Sequence, residues 1–210
     1  MRERKEKPIS MMTDVKINAE TCINAEYKIN ANERIDDLCR DNLKLIQNTD
    51  VFCFGMDAVL LSTFAKAGKN DNVLDLGTGN GIIPILMQAK NPGGMYTGLE
   101  IQDISFNLAA RNVRLNNLSD HVNMVQGDIK EASRIFGGAS FNVVTSNPPY
   151  MNENHGIVNP ESAKAIARHE LLCSLEDVVR EASKCLKVKG HMYMVHRPSR
   201  LVDIFTSMKN

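Results

Sequence analysis

The chain has 210 residues, of which 25 are basic and 25 acidic, so its net charge is zero, and 43% of it is hydrophobic. That length suits one domain with an appendage, and the charge balance excludes a general affinity for polyanions, so any nucleic-acid binding must rest on a local patch. No apolar run is long enough to span a membrane, Met1-Arg2-Glu3-Arg4-Lys5 opens no secretory signal, and the scattered Cys22, Cys39, Cys53, Cys173 and Cys185 argue against a metal site or disulfide framework and for reduced thiols in a cytoplasmic protein.

Residues 1–32 read as an N-terminal extension, with residues 33–210 forming the globular domain. The extension begins with a basic cluster, Arg2, Arg4, Lys5 and Lys7. A near-repeat with a period of six follows: Ile17-Asn18-Ala19-Glu20, Ile23-Asn24-Ala25-Glu26, Ile29-Asn30-Ala31-Asn32. Three short polar copies are too few for a solenoid. A solvated tail and a basic RNA-facing arm both fit.

Asp36-Asp37-Leu38 and Leu43–Gln47 read as a short strand or turn region. Asp57–Ala65 reads as a helix buried on its Leu60 and Phe64 side. Beyond it, strands and helices alternate. The predicted strands are Val73–Leu76, Tyr96–Glu100, Val122–Gln126, Phe141–Thr145 and His191–His196. The predicted helices are Ile82–Lys90, Ile104–Asn116, Lys130–Ile135, Ala163–Leu171 and Leu175–Leu186, with a last one opened by Arg197-Pro198-Ser199. Such alternation argues for βαβ units and a parallel sheet.

Four strand ends carry distinctive chemistry. The first runs through Asp75 into Gly77-Thr78-Gly79-Asn80-Gly81 and then a helix. Glycines allow a sharp turn and close ligand approach. The Gly-x-Gly-x-Gly spacing is neither the dinucleotide fingerprint nor a P-loop. Asp75 suits a ligand with a cationic amino group better than a pyrophosphate. The second strand ends in Glu100, placed to accept both hydroxyls of a ribose. The third runs into Asp128, which suits an adenine amino group or, equally, a helix N-cap. The fourth ends in Asn147-Pro148-Pro149-Tyr150. The prolines have no N–H for a ladder and bias the residue before each towards an extended shape. They hold an amide, a carbonyl and a ring rigid at the strand's end, as a holder for a flat amino-bearing group.

Taken together, Asp75–Gly81, Glu100, Asp128 and Asn147–Tyr150 resemble the ordered motifs of class I S-adenosylmethionine-dependent methyltransferases. The resemblance implies an α/β fold with a doubly wound, mostly parallel Rossmann-like sheet. It implies S-adenosylmethionine as cofactor and S-adenosylhomocysteine as product. Gly77, Thr78, Gly79, Asn80 and Gly81 would approach the methionine part. Glu100 and Ile101 would meet the ribose side and Asp128 and Ile129 the adenine. A complete sheet of this kind carries two strands after the helix in which the chain stops at Asn210, so a C-terminal truncation is expected.

Family members with Asn-Pro-Pro-Tyr methylate planar nitrogens, either base amines or glutamine amides. The lone pair of such a nitrogen is delocalised and weakly nucleophilic. The Asn147 oxygen and the Pro148 carbonyl would accept its N–H groups, each contributing about 2–4 kcal/mol in the transition state. Pro149 stiffens the turn and Tyr150 stacks on a base or frames an amide. The segment Glu33–Leu38, Leu45–Gln47 and Phe52–Leu61, with Gly98–Gln102, resembles the bacterial tRNA(Val) (adenine-N6)-methyltransferases. In that group the stretch Phe54, Gly55 and Asp57 borders the cofactor. The implied partner is tRNA, modified at an adenine of the anticodon loop, where unpaired bases splay readily. No membrane and no metal is implied, and a monomer is favoured. Arg168 and His169 would meet RNA phosphates, and Asn152–His155 would close over a base, although ordinary surface composition explains both. The alternatives are an N5-glutamine methyltransferase acting on a protein and a non-catalytic cofactor-binding module.

Overall fold

A computed structural model describes residues 29–51, 53–148 and 173–209. The N-terminal basic cluster, most of the near-repeat and the predicted helix Ala163–Leu171 lie outside the described residues.

The chain starts with a hairpin. Strands β1 (Glu33–Asp37) and β2 (Lys44–Asn48) pair antiparallel, with Ile35 opposite Ile46. The region read as a short strand or turn is thus a two-stranded ribbon, closed by positive-φ residues Cys39, Asp41 and Asn42. Helix α1 (Met56–Phe64) leads into the main sheet: β3 (Asn72–Leu76), α2 (Ile82–Lys90), β4 (Met95–Glu100), α3 (Asp103–Leu115), β5 (Val122–Gln126), α4 (Ala132–Phe136), β6 (Phe141–Ser146), α5 (Leu175–Cys185), β7 (Leu186–Met194) and α6 (Leu201–Lys209).

The five strands β3–β7 are all parallel and lie in the order β5-β4-β3-β6-β7. The chain builds outward from β3 through β4 and β5, then returns to β3's other side. Ligands of open α/β sheets sit at such a reversal, beyond the strands' carboxyl ends. Both faces are covered, which is why the central strands are largely apolar. Val73 and Val143 point into a core shared with α1, α2 and α3. Leu74, Leu76 and Val144 point the other way, onto Ala132 of α4 and Val178, Ala182 and Cys185 of α5. This is the doubly wound arrangement expected.

Local sequence accounts for most boundaries. α2 is buried along nearly its whole length, and its Pro84 falls in the first turn, where a missing N–H costs nothing. α5 opens on a full capping box: Ser174 accepts from the Asp177 N–H, and Asp177 accepts from the Ser174 N–H.

Three expectations need correction. Helix α1 is not buried on its Leu60 and Phe64 side: these are 58% and 73% exposed, while Ala58, Leu61 and Ser62 are buried. The smaller residues let α1 approach the bulky surface of α2, and the Phe64 ring instead meets Tyr193 edge-on at 5.9 Å. The segment Lys130–Ile135 is not one α-helix but a 3-10 turn, Ile129–Glu131, followed by α4. Asp128 tightens that turn by accepting from the Lys130 N–H at 2.9 Å. β7 begins at Leu186, not His191, because Leu186 already pairs with Phe141. Its next partner is His191 opposite Val143, two steps along β6 against five along β7, and this bulge, with Lys189 at φ 66°, hides the strand's alternation.

Candidate active site

The motif-bearing strand ends converge on the carboxyl edge of the sheet. β3 hands over to the glycine turn at Leu76. The Gly77 and Thr78 N–H groups both donate to the Leu99 carbonyl at 3.0 Å, which ties the turn to β4. Gly79 has φ 58°, and a Cβ there would meet nothing within 4 Å, so this residue lies against open space. Gly81 differs: at φ 82° its Cβ would come within 3.2 Å of Ala109 and 3.1 Å of Met124. One glycine keeps the edge open, and the other lets α2 begin tight against α3.

Glu100, at the end of β4, is only 6% exposed. One carboxylate oxygen accepts from the Gly79 N–H and the other from the Gln102 N–H, both at 2.9 Å. A carboxylate offers about four acceptor positions, so the same group that fixes the turn retains acceptor capacity for a ligand. Ile101, the next residue, is exposed. Asp128 serves as the cap of its own 3-10 turn, with Oδ2 3.7 Å from the Lys130 ammonium. The N-cap alternative is therefore realised locally, at the same sheet edge. The Ile129 side chain reaches the glycine turn: its Cδ1 is 3.5 Å from where a Gly77 Cβ would stand.

Asp75 is almost fully buried, at 1% exposure. It pairs in register with Thr145 of β6, whose hydroxyl donates to Asp75 Oδ1 at 2.7 Å. Burial pushes its carboxyl up to about 7; the Thr78 and Thr145 hydroxyls pull against that, and the Glu100 charge adds to it. Thr78 sits beside the carboxylate without a well-formed hydrogen bond. Asp75 Oδ2, Thr78 Oγ1 and Asn80 Nδ2 are all buried without a hydrogen-bond partner among the described residues. Buried polar atoms without partners are costly, and three of them at one turn form a donor and acceptor set for a bound polar group.

Asn147 and Pro148 leave the end of β6, next to the glycine turn. The Ser146 hydroxyl donates to the Leu76 carbonyl at 2.9 Å, which fastens the two strand ends together. Pro149 and Tyr150 lie outside the described residues, as do Asn152–His155, Arg168 and His169.

Phe54 precedes α1, Gly55 is its N-cap and Asp57 lies in its first turn. Lys90, at the end of α2, donates to the Thr63 and Ala65 carbonyls at 2.6 Å, at the end of α1. The carboxyl ends of the two helices are thereby tied together. Phe54 is held by its N–H, which donates to Gln47 Oε1 at 3.2 Å.

Two residues that support the site went unnoticed in the sequence. Thr145 is one; a carboxylate in an apolar strand demands a partner on its neighbour, and Thr145 is the polar residue in register. Asn112 is the other. It is fully buried in α3, accepts from the Ile46 N–H at 2.7 Å, and donates to the Ile46 and Asn80 carbonyls at 3.1 and 2.9 Å. It thereby clamps the hairpin to the glycine turn. Its signal was an amide set in the apolar stripe of Leu108 and Leu115.

The edge thus combines an open glycine turn, buried acceptors and a rigid Asn-Pro step on the adjacent strand. It suits a ligand bearing hydroxyls and an amine, facing a second, planar group. Among the described residues, no group of His, Cys, Asp and Glu is arranged to hold a metal ion, and no helix is long and apolar enough to cross a membrane.

The chain is similar to several known proteins. A tRNA1(Val) (adenine(37)-N6)-methyltransferase of Porphyromonas gingivalis is 30% identical over 156 residues, covering 71% of this chain and 60% of that protein. The chain spans about 60% of the length of the curated relatives it matches. Two solved structures share the fold. TYW2 of P. horikoshii in complex with MeSAdo has a TM-score of 0.58 at 14% identity, over 86% of this chain and 59% of that one. TrmN from Thermus thermophilus has a TM-score of 0.53 at 21% identity, over 70% and 40%. Residues 42–205, which take in every strand of the main sheet and the glycine turn, match the methyltransferase small domain family, and the chain belongs to that family.

Proposed function

We propose that this protein transfers a methyl group from S-adenosylmethionine to the exocyclic N6 of an adenine in tRNA. The observation that carries the reading is the adjacency of two half-sites. The glycine turn after β3 and the Asn147-Pro148 step after β6 leave neighbouring strands, tied by the 2.9 Å bond from Ser146 to Leu76. The choice of adenine in tRNA is supported by the name of the Porphyromonas gingivalis relative and by the resemblance of residues 33–61 to its group.

The residues fit the cofactor. Asp75 Oδ2 offers an acceptor for its cationic amine, and Thr78 Oγ1 and Asn80 Nδ2 are further polar atoms without partners among the described residues. Gly79 leaves room for close approach. Phe54, Gly55, Asp57 and the turn Gly77–Gly81 would hold the methionine part. Glu100 would take the ribose hydroxyls, with Ile101 beside it, and Asp128 and Ile129 would frame the adenine. Bound S-adenosylmethionine supplies an electrophilic methyl group on a sulfonium.

The chain's task at the acceptor is geometric. An exocyclic amine has its lone pair drawn into the ring. The Asn147 side-chain oxygen and the Pro148 carbonyl accept its two N–H groups and favour a pyramidal nitrogen whose lone pair faces the donor. Prefixed acceptors of this kind need no reorganisation during reaction, and alignment contributes further by removing the entropy of encounter. No strong base is needed, since the methylated nitrogen sheds its proton to water. Tyr150 would stack on the base.

Incubation with methyl-labelled S-adenosylmethionine and an unmodified tRNA transcript tests the reading. Nucleoside mass spectrometry should find labelled N6-methyladenosine. Label confined to a Gly-Gly-Gln peptide, or cofactor binding without turnover on either acceptor, would replace it with one of the two alternatives.

A further inference from the structure

We propose that the carboxyl end of β7 is the phosphate-gripping side of the site, with Arg197 and Arg200 holding the RNA backbone beside the adenine received by Asn147 and Pro148. The inference rests on the function proposed above and adds to it which residues meet the polyanion.

Register supplies the first argument. Ser146 pairs with Met194, and the Val195 N–H donates to the Ser146 carbonyl at 3.3 Å. Asn147-Pro148 and Val195-His196 therefore leave the sheet side by side, about 4.8 Å apart, one strand spacing. Pro148, Ser174, Val178, His196 and Arg200 border a common cleft of about 110 Å³. A base turned out of its stack brings its own phosphates with it, so whatever holds them must lie this close to Asn147.

Charge supplies the second. The ends of β3, β4 and β5 bear Asp75, Glu100, Asp103 and Asp128, an acidic half suited to hydroxyls and an amine. The carboxyl end of β7 runs instead into Arg197 and Arg200, with Asp203 paired to the latter, while Lys187 and Lys189 lie at the strand's other end. A chain of zero net charge needs local cations to bind RNA, and Arg197 and Arg200 supply two of them where β7 ends.

Local geometry supplies the third. Pro198 opens a 3-10 turn in which the Arg200 N–H donates to the Arg197 carbonyl at 3.0 Å, folding Arg200 back towards the cleft. Asp203 braces the Arg200 guanidinium through Nε at 2.8 Å. Arg197 is exposed. Its N–H donates to His196 Nδ1 at 2.9 Å, so the neutral imidazole carries its proton on Nε2 and can itself donate.

The test is steady-state methylation of a tRNA transcript over a series of potassium chloride concentrations. Arg197→Ala should raise KM for tRNA about tenfold, with the loss falling in KM more than in kcat. The slope of log KM against log salt should become shallower by about 1, as for one lost phosphate contact. Arg197→Lys should recover most of the affinity, and Arg200→Gln, which keeps a donor for Asp203, should behave like Arg197→Ala. S-adenosylhomocysteine affinity, read by calorimetry, should match wild type in all three, which excludes a folding defect. Wild-type KM and salt slope in Arg197→Ala would overturn the inference while leaving the methylation reading intact. A wild-type protein that methylates no tRNA would overturn both.

Discussion

Replacing Asp75 by Asn should stabilise the ligand-free protein and weaken it as a cofactor binder. The carboxyl titrates near 3.8 in an unfolded chain and at about 7 in the folded one, chiefly because burial disfavours its charge. Below pH 4 both states are protonated and the group contributes nothing to stability. Between about 4 and 7 the folded state holds a proton that the unfolded state has released, so stability falls as pH rises. Above 7 both are ionised and the loss is complete. At about 1.4 kcal/mol per pH unit, the gap amounts to about 4 kcal/mol. Asn keeps the acceptor for the Thr145 hydroxyl and offers Thr78 Oγ1 an N–H donor. The variant should therefore melt on the order of 10 °C higher at pH 8, for a chain of this size, with the difference shrinking towards zero near pH 4. Differential scanning fluorimetry across that range reads it directly. Calorimetry with S-adenosylmethionine should show weaker binding to the variant. In wild type near pH 7 it should also show proton release, detected by varying the buffer's ionisation enthalpy, because a cationic amine beside Asp75 favours the charged form. A variant no more stable than wild type at pH 8, or an advantage independent of pH, would refute the assignment of a buried carboxyl kept ready for a cation.

Three further outcomes follow from the geometry. Asn147→Ala should lower kcat about 10²–10³-fold, as for loss of one prefixed polar group, while calorimetry shows an unchanged cofactor affinity; an active variant contradicts the role given to Asn147. Asn112→Ala strands the buried Ile46 N–H and breaks the clamp to Asn80, so urea denaturation should show a loss of about 2–4 kcal/mol. Ala at Gly81 meets both a positive φ and two side chains within 3.2 Å, whereas Ala at Gly79 meets only the positive φ. Gly79→Ala should therefore cost about 1–2 kcal/mol and mainly obstruct cofactor binding, while Gly81→Ala should be the more destabilised in thermal melts.

The sheet was legible because its strands are short apolar runs that end in punctuation. Val73–Leu76, Val122–Gln126 and Phe141–Thr145 each stop at a glycine or an Asn-Pro step, and all three are strands within a residue of expectation. Legibility failed where periodicity was ambiguous. α1 carries apolar residues on two sides, and only its neighbour decides between Leu61 and Leu60. β7 begins behind a bulge that no alternation betrays. At the site, the convergence of Gly77–Gly81, Glu100, Asp128 and Asn147 on one sheet edge followed from strand order. What each carboxylate does inside the protein did not. Asp75 is buried against Thr145 and Glu100 fixes the turn it borders, because these partners come from neighbouring strands and turns, whereas the local cap formed by Asp128 was among the alternatives.

The central claim is tested most directly by nucleoside mass spectrometry of total tRNA from a strain lacking this gene. The account predicts that N6-methyladenosine disappears from a valine tRNA and returns when the gene is restored. An unchanged N6-methyladenosine content in that tRNA would contradict it.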